Sequence, residues 1–205
     1  MIKLTIFLTL GLFTVCYAQT RQIKAKGIYK EIDVEKHNGI VEILKGGNVI
    51  SKDKMIDSVL NNPNYYNPPV VFALSNELFK RGRKREAAYW FYVAQLRARY
   101  DANLCLDNTA EQATSILTDI YGTEINKFAL ENIDSLRATV NKVVEFVRTN
   151  DEHYDHRWIN LHGMDAAQNK KTKELSHPKS KWTEIKARTI DDYYQRFLEA
   201  VKSMK

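Results

Sequence analysis

Apolar residues recur at intervals of three and four along most of the chain after Ser51, the spacing of helices that each bury one face. Before Ser51 the pattern is different. Ile23–Ile32 and Gly39–Ile50 carry alternating or β-branched residues, and Gly46-Gly47 stands where a tight hairpin turn needs positive φ, so a small β hairpin or appendage is expected over 19–50. Two strands alone are marginal in water, and this element would have to pack on the helices or on a partner. Ser51 then caps a short helix bearing Ile56, Val59 and Leu60, which Asn61-Asn62-Pro63 stops. Asn61–Pro69 contains Pro63, Pro68 and Pro69 and reads as an ordered, extended connector, because proline fixes φ and biases the preceding residue away from helix.

Val70–Tyr100 predicts two amphipathic helices punctuated by Gly82. Ser75, Ala87 and Ala94 are small enough for the two backbones to approach closely, while Leu74, Leu78, Trp90 and Phe91 fill the seam. Leu74-Ser75 followed by Gly82, Ala87, Phe91 and Ala94 resembles one unit of a tetratricopeptide or Sel1-like repeat over 70–100, which implies an antiparallel helix pair. No second unit follows at a period near ~34 residues. Further on, Thr109 and Gln112 form a capping box ahead of Ile116, Leu117 and Ile120, with Gly122 ending that helix. Ile125, Phe128, Ala129 and Ile133 suggest a short helix. Leu136, Val140, Val143, Val144 and Val147 form a core-facing stripe, and Ile185, Ile190, Tyr193, Phe197 and Val201 another on a long closing helix from Thr183. Between the last two lies a polar stretch, 149–181, expected as a long irregular loop. The fold class expected is therefore mainly α: a helical bundle built around an antiparallel hairpin, over 51–205, with the small β appendage ahead of it.

The first eighteen residues change where this protein is expected to act. Lys3, the apolar run Leu4–Val15 and the small residues Cys16 and Ala18 at −3 and −1 before Gln19 read as a secretory signal peptide, too short to span a bilayer. A periplasmic or secreted protein beginning at Gln19 is expected, with no membrane span. Cys16 as a lipid anchor is disfavoured, since Val15 and Phe13 do not match the small and aliphatic residues that precede a lipidated cysteine. Removal of the leader would leave Cys105 alone, flanked by Leu104 and Leu106 and expected as a buried apolar thiol. The formal net charge of +6 comes from basic residues interspersed with acids, the pattern of solvated helix faces rather than of a nucleic-acid footprint.

Candidate chemistry concentrates in Asn150–Asp165. His153, His156 and His162, with Asp155 or Asp165, supply the imidazoles and carboxylate that a divalent transition metal takes, although no HExxH spacing fixes them on one helix. The competing reading is a polar network in which Arg157 pairs with Asp155 or Asp165, Trp158 and Leu161 anchor the loop, and the histidines cap helix ends. A second concentration, Tyr65, Tyr66, Tyr89, Trp90, Tyr92 and Tyr100, suits either core packing or a protein interface, where amphipathic aromatics contribute large contact area. Tyr65, Tyr66, Tyr89, Tyr92, Arg157 and Trp158 are the binding candidates. Arg97, Arg99 and Asp101 read as a solvated charged helix end.

No Gly-rich phosphate cradle, GxSxG elbow, CxxC or cofactor fingerprint occurs, and no catalytic residue is assigned. Three classes remain. An exported bacterial protein-binding module, such as a periplasmic immunity or inhibitor-type protein acting by stoichiometric binding to another protein, leads. An envelope structural or assembly factor adding its N-terminal strands to a partner's sheet follows, and then a metal-dependent hydrolase centred on the histidine loop.

Overall fold

The computed structural model describes residues 25–202. The expected leader, including Cys16, lies outside them. Helices follow in chain order as α1 (Glu35–Gly46), α2 (Val49–Asn61), α3 (Pro68–Lys80), α4 (Lys84–Leu104), α5 (Gln112–Leu130), α6 (Ile133–Thr149), α7 (Met164–Ala167) and α8 (Trp182–Lys202), with short 3₁₀ turns between several of them. Among the described residues the one extended pairing is an isolated antiparallel bridge between Cys105 and Ser176. The protein is mainly α, and among the described residues no helix is long and apolar enough to cross a membrane.

The axis is α4. Helices α3, α5, α6 and α8 all pack on it, so it has no solvated face over most of its length. Its small residues Ala87, Ala94 and Ala98 are fully covered and set the close approach of its neighbours, while Phe91, Val93 and Leu96 fill the space between them. The α3–α4 pair is the most extensive contact in the fold and forms the expected hairpin. Gly82 makes its turn with φ +79°, a left-handed conformation that glycine adopts without strain. Asn67 caps α3 and Pro68 occupies its first position, where a missing N–H costs nothing. The α6 stripe Leu136, Val140, Val143 and Val147 is buried as its spacing predicts.

The expected N-terminal β appendage is not shown among the described residues, 19–24 lying outside them. Where Gly39–Ile50 reads as strand, α1 runs through Gly46 and α2 begins at Val49, and Gly27–Glu31 of the other expected strand is a 3₁₀ turn. The apolar residues misled because they also satisfy helical spacing: Ile40 and Leu44, one turn apart, bury the face of α1 that packs on α3. Asn48 rather than Ser51 caps α2, its side chain accepting the Ser51 N–H at 2.9 Å. The capping box at Thr109 is replaced by Asp107, which accepts both the Thr109 N–H and hydroxyl. Nor does Gly122 end a helix. It lies inside α5, where its missing side chain lets Phe91 of α4 approach so closely that a Cβ would sit 2.7 Å from the ring. That contact turns α5 so that Ala113, Gly122, Ile125 and Ala129 face the core, leaving Ile116 and Ile120 exposed.

Candidate functional site

The polar stretch 149–181 packs as a wall against α4. It contains a 3₁₀ segment, His156–His162, and helix α7, and it returns to α4 through the Cys105–Ser176 bridge. From Asp151 to Trp158 the more buried and the more exposed residues alternate, through a bend at Tyr154 and into the 3₁₀ segment. Glu152, Tyr154, His156 and Trp158 turn inward to α4, while Asp151, His153, Asp155 and Arg157 turn outward.

The inward row meets two charged residues of α4, Arg97 and Asp101, spaced four apart and therefore on one face. Both are buried, at 0% and 1% exposure, which corrects the solvated helix end read from the sequence. Asp101 accepts three hydrogen bonds: from His156 Nδ1 at 2.6 Å, Trp158 Nε1 at 2.6 Å and the Tyr154 hydroxyl at 3.1 Å. Burial pushes the Asp101 carboxyl above its usual range, against the opposing pull of His156. Burial would depress His156, but the Asp101 carboxylate outweighs it and holds the imidazole above its ordinary value. The His156 ring lines the cleft described below, and its other nitrogen, Nε2, has no hydrogen-bond partner among the described residues.

Arg97 makes the second junction. Its Nη1 donates to the Pro63 carbonyl at 2.9 Å, Nη2 donates to Asn64 Oδ1, and the guanidinium lies over the Phe146 ring. Its Nε stands 3.5 Å from Glu152 Oε1. The same carboxylate receives Lys186 Nζ of α8 at 2.8 Å, and that ammonium also donates to the Asn150 carbonyl. Two buried acids thus stand against three cations, Arg97, Lys186 and His156, while Arg97 Nε and Glu152 Oε1 meet by charge without a hydrogen bond.

Beside this network lies a cleft of about 730 Å³ between the 152–157 segment and the 173–182 return. His156 forms part of its lining, Trp182 is a wall, and Lys173, Lys179 and His177 stand around it. Asp155 is held by the Arg157 guanidinium through bonds of 2.8 to 3.1 Å.

The structure separates the metal candidates. His156 points in to Asp101; His153 points out and lies against the Tyr65 ring, centroids 4.9 Å apart; His162 packs on the far side against Trp158; and Asp165 binds Lys170. Among the described residues no group of three or more His, Cys, Asp or Glu converges to hold a metal ion. The physical reason is that each is committed elsewhere: His156 to Asp101, His153 to the Tyr65 ring and Asp155 to Arg157.

The aromatic candidates also divide. Tyr65 is 59% exposed. Tyr66 is buried with its hydroxyl 2.6 Å from Ser58 Oγ, Tyr92 is buried and donates to Asn126 Oδ1 at 2.9 Å, and Trp158 is buried in the network. Tyr89 is half-buried, its ring against Trp90 and Phe146. Desolvation pushes Tyr89 and Tyr92 each up to about 12. The sequence reading missed Arg97, Asp101 and Glu152. The available signal was Arg97 and Asp101 at helical spacing among Ala94, Ala98 and Leu104, matched by polar and aromatic residues at every second position of 152–158.

Comparison of the chain with protein-family models, with curated proteins and with solved structures finds no match in any of the three.

Proposed function

We propose that this chain is an exported bacterial protein-binding module that acts by stoichiometric capture of a partner protein, as a periplasmic immunity or inhibitor-type protein does. The observation that carries the reading is the contact of Tyr65 with His153. It joins the proline-tyrosine connector to the outward row of the 150–158 segment, 88 positions on, in one exposed ridge. The His153 N–H donates to the Asn64 carbonyl at 2.7 Å, so the two segments are bonded through their backbones as well. An exposed tyrosine, ordered by a neighbouring ring and set beside a cleft, has the character of an interface anchor: large contact area with few rotatable bonds. The inward charges are matched to one another, which suits a supporting framework under a recognition surface.

The test is capture of secreted and envelope proteins by the chain from Gln19 onward, with mass and stoichiometry of the complex read by light scattering. One partner held at fixed stoichiometry is expected, with affinity falling about 30-fold in Tyr65→Ala, the size of an interface hot spot. A complex indifferent to both Tyr65→Ala and His153→Ala would rule out this surface, and failure to form any stoichiometric complex would rule out the function.

A further inference from the structure

The cleft has two properties that the ridge alone does not use. The first is an open backbone edge. In the bridge to α4, the Leu175 carbonyl accepts from the Leu106 N–H at 3.0 Å, and the His177 N–H donates to the Leu104 carbonyl at 2.8 Å. In extended backbone the N–H and carbonyl of the intervening residue point the other way. Those of Ser176 therefore face away from α4, Ser176 lines the cleft, and neither group has a hydrogen-bond partner among the described residues.

The second property is charge. Of the acids around the cleft, Glu152 is matched by Arg97 and by Lys186, which also meets Asp151, and Asp155 by Arg157, which also meets Glu31. Lys173 and Lys179 have no ion-pair partner among the described residues; Lys179 rests over the Trp182 ring, 5.8 Å from its centroid. Against them stands Glu174 alone. The cleft thus combines two lysines without an ion-pair partner, a flat aromatic wall, an imidazole and a strand edge.

We infer that this cleft receives an extended acidic segment of the partner protein, its backbone pairing with Ser176 and its carboxylates meeting Lys173, Lys179 and His156 Nε2. The inference rests on the protein-binding reading above and specifies what the partner presents. The strand edge favours a peptide over a small anion, because main-chain pairing recognises an extended chain and side-chain charge then selects among chains. The cleft volume accommodates a few residues rather than a folded domain.

A displayed library of random twelve-residue peptides, selected against the chain from Gln19 onward, tests this. Enrichment of peptides rich in Asp and Glu is expected. Their affinity should fall at least tenfold on the Lys173→Glu/Lys179→Glu double variant, whose substitutions are on exposed side chains. A resynthesised peptide should lose at least tenfold when one particular backbone amide is N-methylated, a change that leaves the protein untouched. Enrichment of neutral or basic peptides, no enrichment, acidic peptides that bind the double variant equally well, or displacement by citrate alone with no sensitivity to N-methylation would each overturn the inference. A partner complex that needs Tyr65 yet ignores both lysine substitutions would also overturn it while leaving the binding function standing. Cleft-dependent acidic peptides with no stoichiometric protein complex would support this site and sink the wider function.

Discussion

Asp101 and His156, 55 positions apart, meet at 2.6 Å beside the cleft, and the same carboxylate also takes the Trp158 indole N–H and the Tyr154 hydroxyl. One side chain on the central helix thereby fixes three consecutive inward residues of the wall. Asp101→Ala strands all three donors in a dry site and should destabilise the fold by about 3–5 kcal/mol, read as a lowered urea midpoint. Asp101→Asn retains one acceptor and should lose less. Equal, small losses in both would mean that water reaches the site.

The pair also sets a pH dependence. His156 is held above its ordinary value, so its contribution to stability is complete below about pH 6.5 and is lost as pH rises through the raised folded value. Tyr100, Tyr154, Trp182, Glu152 and Asp155 surround the ring; the acids Glu152 and Asp155 act in the same direction as Asp101. Melting temperature should fall between pH 6 and pH 9 more steeply in the unsubstituted protein than in His156→Gln. Parallel profiles would show that the imidazole keeps one charge state throughout.

Acid should expose a different pair of contacts. Burial raises the Glu77 carboxyl, but bonds from Lys52 and Arg81 outweigh it and the net shift is downward. A lowered folded value contributes stability above about pH 4.5 that is lost as pH falls through it. Glu77→Gln should therefore flatten the acid limb of the stability profile without changing the neutral-to-alkaline limb.

Gly122→Ala sets helix propensity against packing. Alanine is favoured over glycine inside a helix by about 1 kcal/mol, but its Cβ would lie 2.7 Å from Phe91 Cζ and 3.0 Å from Asn126 Nδ2. Phe91 is fully buried and has no room to withdraw, so a net loss of about 1–3 kcal/mol is expected on calorimetric melting. Net stabilisation would show that α4 and α5 separate readily.

Cys105 should be inert in the folded protein. Burial pushes its thiol up to about 11, and its sulfur accepts from Asn160 Nδ2 at 2.9 Å. A disulfide reagent at pH 8 should label it only in denaturant. Rapid labelling of native protein would show that the 104–106 bridge to Ser176 opens.

The helical framework was legible wherever apolar spacing had a single reading. Leu136, Val140, Val143 and Val147 admit only a helix, and Gly82 admits only a turn between two of them. Ile40 and Leu44 did not have that property, because a short apolar run fits both periods until its packing partner is known. Of the wall beside the cleft, composition marked out the neighbourhood of His156 and Trp158 but not its partners. Asp101 and Arg97 are ordinary charged helix residues by local sequence. Only the enclosure of α4 on every side makes them interior, and enclosure is a property of the assembled bundle rather than of any one segment.

Arg97 holds Pro63 and Asn64 of the connector while standing against Glu152 of the wall, so both halves of the ridge are fastened to one guanidinium before any partner arrives. The conformational entropy of these segments is therefore spent during folding and not at encounter. Association should follow a single exponential whose rate rises linearly with partner concentration, without the plateau that marks a slow rearrangement, and differences among ridge variants should appear mainly in residence time.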